Sequence, residues 1–522
     1  MPGTSERMNG VGFLAIVIGS VAVSAAANRR GWPGPLVVVV VASAVSLLPG
    51  LPRMELPPEL ILAFVLPPLL YSAALELSFV SFRRDLLPIA ALGVGLVVFS
   101  ATAVGLVAWW LLPALTVGGA FVLGAVLAPS DAVAAVALGR RLGMPHRVMT
   151  ILTGESLVND AVALVAFELA VAAYTGYQPF IDRPVPLALY SVLVGVGVGL
   201  ITAMVVHQIR PRLHDPALET VFGAVVPFVA YLAASELHAS GVLAVVAAGF
   251  WIGHHSADAA FATRLQSRQV WHTVDLVLEA FVFAYMGLQV SVILQDATLE
   301  GTGPLQLLLG VTVVLLVVLV ARPLWIFALL SLNPSRLPRR YGVVLSWAGM
   351  RGVVTLAAAA AIPATTISGV PAPDRNMIQA IALSVAVLTI LVQGSTLQPL
   401  IRFLHISDAA DRRRAEADLA RALRVARRAA HDYTARATTN GEEAVTMALI
   451  EHRIAHVLNA SSHAQQPEQH DHELVQAILA HQRRALIRER DAGRLDDEVL
   501  RAVLQQLDYE EAAASTDLRT RL

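Results

Sequence analysis

The sequence contains no cysteine. Disulfides, thiolate nucleophiles and cysteine-based metal sites are therefore excluded. It contains no lysine either, since all 38 basic residues are arginine. That removes Schiff-base chemistry and any lysine counter-charge. Charge of both signs is scarce: charged residues are 15% of the 522, hydrophobic residues 56%, and mean hydropathy is +0.64. A soluble domain averages about 25% charged, so this chain cannot cover a water-facing surface in the ordinary way. A soluble enzyme and a disordered chain are both poor starting points. The net charge of −1 leaves no field that would gather nucleic acid.

The few charges are unevenly placed. Residues 1–407 hold 21 arginines and 19 acids, whereas the much shorter segment 408–522 holds 17 and 20. The break falls near His405–Asp408 and predicts a membrane domain, 1–407, followed by a polar helical tail, 408–522. A bilayer needs roughly 20 apolar residues per helix. Thirteen such blocks are present, near 10–27, 34–49, 59–78, 86–112, 117–139, 148–174, 186–209, 219–236, 238–254, 270–294, 304–332, 341–363 and 377–404. The second and ninth are short, and the eighth ends in Glu236. The first block ends in Ala25-Ala26-Ala27, which looks like a cleavage site. Its arginine pair, however, follows the apolar run, the wrong flank for a signal peptide, so the block reads as a retained span.

Arginine sets the orientation. The odd-numbered loops carry fourteen arginines, among them Arg29, Arg30, Arg83, Arg84 and Arg140, and the even-numbered loops carry three, Arg53, Arg183 and Arg375. The odd loops and the tail are thereby expected in the cytoplasm and the N-terminus outside.

An ionisable group at mid-membrane costs at least ~3 kcal/mol on insertion scales and marks function by default. The spans nonetheless carry Glu76, Asp131, Glu155, Asp160, Glu168, Asp275, Glu279, Arg322 and Arg351. Span 5 contains Pro129-Ser130-Asp131. Proline breaks the helical ladder, and the freed carbonyls must be buried in protein or line a wet cavity. Ser130 and Asp131 can cap a half-helix, or they can offer oxygens to a cation. A carboxylate at bilayer depth favours the second reading. Span 6 reads Gly154-Glu155-Ser156-Leu157-Val158-Asn159-Asp160. At about 100° per residue, Ser156 and Asp160 share a face, Asn159 flanks it, and Glu155 addresses another neighbour. A carboxylate, a hydroxyl and an amide are hard oxygen ligands suited to Na⁺. A packing cluster of hydrogen bonds is the plainer alternative.

Span 12 is interrupted in turn by Gly349, Arg351 and Gly352. Interrupted helices in corresponding halves point to a transporter site between inverted repeats. Arg322 needs a partner, and Glu155 is the best placed. Arg351 can answer Asp131 or the carbonyls at the end of a broken helix.

These motifs resemble the cation:proton antiporter-1 family, the sodium/proton exchangers, especially its bacterial NhaP-like branch. The matching stretches are Leu127-Ala-Pro-Ser-Asp-Ala-Val133, Thr153-Gly-Glu-Ser-Leu-Val-Asn-Asp-Ala161 and Ser346-Trp-Ala-Gly-Met-Arg-Gly-Val-Val354, with Phe281-Val-Phe and Met286-Gly287-Leu288 in span 10. The resemblance covers the membrane domain. It implies an all-α polytopic protein of thirteen transmembrane helices, inverted six-helix repeats and a crossing of broken helices 5 and 12. It further implies a homodimer in the plasma membrane that exchanges one monovalent cation, Na⁺ ahead of K⁺ or Li⁺, for one proton, electroneutrally and with no cofactor. Asp160 would be the essential ion and proton site, with Asn159 beside it. Ser156, Asp131 and Ser130 would complete the coordination of Na⁺. Glu155 and Arg322 would form a structural ion pair, and Arg351 would stabilise the crossing. One departure stands out: relatives often carry an acid in helix 3 shortly after the proline pair, where Pro67-Pro68 here leads to Ser72. The nearest acid, Glu76, lies a turn later and is left outside the core site.

A channel would need a filter-like repeat, and none is evident. An intramembrane hydrolase would need a nucleophile motif that the sequence lacks. The tail opens with a basic stretch from Arg412 to Arg428, suited to anionic lipid or to solvent. It also carries His452 and His456 at helical spacing, which no carboxylate motif completes as a metal site.

Overall fold

A computed structural model describes residues 10–48, 60–131, 135–136, 139, 142, 144–176, 183–213, 215–299, 303–332, 338–367, 369–372, 374–406, 409–439 and 469–519. The described chain is helical. In order come α1 (Gly10–Arg29), α2 (Gly34–Ser46), α3 (Ile61–Val65, continuing as Leu66–Glu76) and the short α4 (Phe79–Arg84). They are followed by α5 (Leu86–Leu111), α6 (Val117–Val126), α7 (His146–Thr175), α8 (Pro184–Ile209), α9 (Pro216–Glu236) and α10 (Gly241–His254). The membrane-domain set ends with α11 (Phe261–Leu299), α12 (Pro304–Leu332), α13 (Arg339–Trp347), α14 (Val353–Ala360) and α15 (Arg375–Phe403). Three polar helices close the chain: α16 (Ala409–Thr439), α17 (Gln469–Asp491) and α18 (Asp497–Arg519).

Local chemistry places the helix starts. Thr116, Asp215 and Ser240 each accept a hydrogen bond from a first-turn N–H with their side chains, at 3.1, 2.8 and 3.3 Å, as N-caps do. Pro184 and Pro216 occupy first helical positions, where a missing N–H costs nothing. The Pro67–Pro68 pair is preceded by a π-helical stretch, Ile61–Val65, a common accommodation of an interrupted ladder.

Among the described residues, eight helices are long and apolar enough to cross a membrane, and Gly34–Ser46, Ile61–Glu76, Val117–Val126 and Gly241–His254 are shorter apolar helices. Apart from α9, which begins three residues before the eighth block, and α11, all lie within the apolar blocks of the sequence or within two residues of them. The tenth block underestimates its helix: α11 runs for 39 residues, beginning well before the apolar stretch. Large apolar side chains such as Trp110 and Leu193 face outward, 78% and 69% exposed, as a lipid-facing surface requires.

Packing sorts the helices into two groups. One comprises α1–α3 and α8–α11; the other comprises α5–α7 and α12–α15. The main contact between the groups is α11 against α15, and α7 also touches α3 and α10. The helices α16–α18 enclose a small apolar core of their own, including Leu479, Leu486, Leu500 and Leu504. They dock on one end of the first group. Arg501 donates to the carbonyls of Glu76 and Leu77 at the end of α3, Arg490 to that of His254 at 3.0 Å, and Ser81 in α4 donates to Asp496 at 2.8 Å. Buried Asp508 receives Arg264 of α11 and Arg483 of α17. The histidine pair His452 and His456 and the polar break Ser461–Gln469, all but its last residue, lie outside the described residues.

Candidate ion site

The two interrupted helices meet. α6 ends at Val126, Pro129 has no N–H to continue the ladder, and α13 and α14 are separated by residues 348–352. The Asp131 N–H donates to the Met350 carbonyl at 2.7 Å, pairing the two breaks as antiparallel backbone. Arg351 donates from one guanidinium nitrogen to the carbonyls of Ala128 and Pro129, at 2.6 and 2.8 Å. Of the two partners open to Arg351, the structure therefore brings it to the carbonyls. A cation there satisfies acceptors that the broken α6 leaves free, and it stands at the helix end where positive charge is favoured. Its own N–H is held by Thr389 Oγ1 at 3.1 Å.

The glycines make the crossing possible. A Cβ at Gly352 would run into the Asp131 carboxylate, and one at Gly349 would run into the Arg322 side chain.

Beside the crossing lies a buried ion-pair network. Arg322, 3% exposed, donates to both oxygens of Glu155, 1% exposed, at 2.5 and 2.8 Å. It also donates to Ser130 Oγ and to the Leu345 carbonyl, each at 2.8 Å. Ser130 Oγ donates to Glu155 at 3.1 Å and accepts from Asn159 Nδ2 at 2.8 Å, and the same amide reaches the Ser130 carbonyl at 3.0 Å. Such a bidentate, fully bonded pair is what low dielectric demands of buried charge.

Asp160 lies on the other face of α7, 6% exposed. Among the described residues it has no hydrogen-bond partner, and the same holds for Ser156, one turn earlier. Asp131 and Glu155 are both within electrostatic reach of its carboxylate. The arrangement therefore sets two carboxylates five residues apart on different faces of one helix: Glu155 is taken up by an arginine, and Asp160 has no hydrogen-bond partner among the described residues.

The sequence pattern of the sodium/hydrogen exchanger transmembrane region matches residues 12–403. The chain belongs to the sodium/hydrogen exchanger family. An uncharacterized Na⁺/H⁺ exchanger of Mycobacterium tuberculosis is 31% identical over 98% of this chain and 97% of its own length. A sodium, potassium, lithium and rubidium/H⁺ antiporter of Bacillus pumilus is 32% identical over 71% of this chain and 57% of its own length. The Na⁺/H⁺ antiporter ApNhaP of Aphanothece halophytica is 30% identical over 77% and 75%. The sodium proton antiporter MjNhaP1 of Methanocaldococcus jannaschii has a similar fold, with a TM-score of 0.60, 18% identity, and coverage of 76% of this chain and 98% of that one. The chain is thus a multi-pass membrane antiporter of cations and protons, with an NhaP-type fold.

Within this exchanger, sequence reasoning gave no role to three polar residues that the structure puts to use or exposes as unpaired. Thr389 holds Arg351. Thr355, 1% exposed, has an unpartnered hydroxyl among the described residues. Asp275 of α11 accepts from Ser72 of α3 at 2.6 Å. An acid of α11 is thus held against α3 through Ser72, next to the Pro67–Pro68 turn. The signal for Asp275 was its presence as a charge inside an apolar run; nothing in the sequence pairs it with Ser72. Glu76 is exposed at the end of α3.

Proposed function

We propose that the protein exchanges one monovalent cation, foremost Na⁺, for one proton at Asp160, electroneutrally and by alternating access. The observation that carries this reading is the contrast on α7: Glu155 is locked into a bidentate pair with Arg322, while the carboxylate of Asp160 has no hydrogen-bond partner among the described residues. A carboxylate can hold a proton or a cation but not both. A bound cation favours its charged form and a proton neutralises it, so each ligand expels the other. If neither bare state crosses easily, the two movements are coupled.

Ser156 and Asn159 flank Asp160, and Asp131 faces it from the crossing; these supply the remaining oxygens. Ser130 Oγ already serves Arg322, Glu155 and Asn159, so its share in the site is to hold the network in place. The two helix groups are the bodies that rock against each other, with α7 at their boundary. Thirteen spans, an N-terminus outside, the tail in the cytoplasm, inverted repeats, a plasma-membrane location and a homodimer complete the reading. They rest on the arginine bias of the loops and on the family resemblance. A channel is disfavoured, because Arg322 and Arg351 occupy the crossing where a cation pore would pass.

The name of the Bacillus pumilus relative favours one second reading, exchange of K⁺ as well as Na⁺. Purified protein in liposomes with an internal pH dye tests both. A Na⁺ gradient should drive proton movement that saturates with Na⁺, and replacing Na⁺ with Li⁺, K⁺ or choline ranks the cations. Proton movement that is indifferent to every cation would refute exchange.

A further inference from the structure

We propose that the hydroxyl of Thr355 is a further ligand of the transported cation, supplied by the second broken helix. The inference rests on the reading of Asp160 and Asp131 as the cation site. It begins with Gly352, the N-cap of α14. An N-cap side chain ordinarily leans over the first turn and meets the N–H of the second or third helical residue. Gly352 has no side chain, and a Cβ built on it would collide with both the carboxylate and the Cβ of Asp131. The Asp131 side chain therefore occupies the space of the missing cap, donated from the other broken helix. Thr355 is the third residue of that first turn. The third residue past a cap is nearly one full turn further on, so Thr355 stands on the cap's side of α14, the side that the Asp131 side chain meets.

The hydroxyl is buried and uncommitted. Thr355 is 1% exposed, and its Oγ1 has no partner among the described residues. Thr175, Thr202, Thr220 and Thr312 each donate to the carbonyl four residues back at 2.7–2.8 Å, the usual resort of a threonine in an apolar helix. For Thr355 the residue four back is Arg351, which lies in the break and outside the helix. The interruption that lets the helices cross thus also deprives this hydroxyl of its internal acceptor. Asn159 matches it on α7: also 1% exposed, it spends its amide nitrogen on Ser130 while its Oδ1 has no partner among the described residues. α7 and α14 are in contact, and Asp131 and Asp160 lie within electrostatic reach of each other. Two carboxylates, an amide oxygen and a hydroxyl, contributed by three interrupted or facing helices, make a hard-oxygen shell of the kind a monovalent cation takes.

Thr355→Val and Thr355→Ser separate this role from packing. Valine keeps the shape and removes the oxygen. Where a hydroxyl is merely buried and unpaired, replacing it by a methyl is neutral or stabilising. The expected result in proteoliposomes is that Thr355→Val raises the Na⁺ concentration for half-maximal exchange roughly tenfold, the loss of about one good hydrogen-bond-sized ligand. Thr355→Ser should stay within about twofold of wild type by the same reasoning. The thermal midpoint of the valine variant without Na⁺ should equal or exceed wild type, while its upward shift on adding Na⁺ shrinks. If the valine variant fails to fold, Thr355→Ala gives the same half-saturation readout. A valine or alanine variant with wild-type half-saturation and wild-type Na⁺ stabilisation would overturn the inference while leaving the assignment of Asp160 intact. Absence of cation-dependent proton movement in the wild type would overturn that assignment and this inference together.

Discussion

Glu155 and Asp160 stand on different faces of one helix, one paired and one without a hydrogen-bond partner among the described residues, and their mutants should behave oppositely. Asp160 has no protein hydrogen-bond partner among the described residues, so Asp160→Asn strands nothing. It should leave the protein monodisperse with an unchanged thermal midpoint and abolish cation-driven proton flux; an asparagine variant that exchanges at wild-type rate would refute its role. Glu155 and Arg322 answer each other through two hydrogen bonds in a buried site. Removing one partner leaves a buried charge unpaired, at a cost of about 3–5 kcal/mol. Glu155→Gln and Arg322→Gln should therefore each lower the thermal midpoint, and the double variant should lose much less than the sum. Additive losses would mean that the pair does not form in the folded protein. The proposed competition at Asp160 gives a sign for pH: acidifying the cation-binding side should raise the half-saturating Na⁺ concentration, and a half-saturation indifferent to pH would contradict it.

The interrupted helices are legible in the sequence, but the contacts between them are not. Pro129 and the glycines Gly349 and Gly352 announce two breaks, and charges at bilayer depth announce that the breaks matter. The spacing of Ser156, Asn159 and Asp160 announces their shared face, because helical periodicity is local. What local periodicity does not encode is which atom of a distant helix each group meets. Arg351 had two chemically sensible partners, and only the fold decides for the carbonyls of Ala128 and Pro129. Ser130 reads equally well as ligand or structural donor until Arg322, 192 residues away, is seen to claim it. Thr355 sits in a run of valine and alanine and draws notice only once Asp131 is found against Gly352. The close fit at that point predicts that Gly352→Ala destabilises the protein by about 1–3 kcal/mol, as overpacking of a tight core does. It should depress exchange more than a comparable insertion in the lipid-facing surface of α12. A Gly352→Ala variant with wild-type melting and transport would show that the two breaks do not touch.

At the scale of the molecule, α16–α18 are joined covalently to α15, in one helix group, and dock on the ends of α3, α10 and α11 in the other. Because the chain has no cysteine, the docking can be read without background. Ser81→Cys with Asp496→Cys should form a disulfide under mild oxidation, and each single variant should form none; no cross-link in membranes would contradict the contact. The exchange stoichiometry is also a property of the whole cycle. Each net charge moved couples to the membrane potential at about 2.3 kcal/mol per 100 mV, so a carrier that trades one cation for one proton should ignore an imposed potential. The central claim, that a proton and a cation compete for the carboxylate of Asp160, is tested most directly by proton release. Purified protein in weakly buffered detergent solution is mixed with Na⁺, and the pH change is followed. The account predicts release of one proton for each cation bound, reversed by acidification and absent in Asp160→Asn. Na⁺ binding without proton release, or equal release from Asp160→Asn, would contradict it.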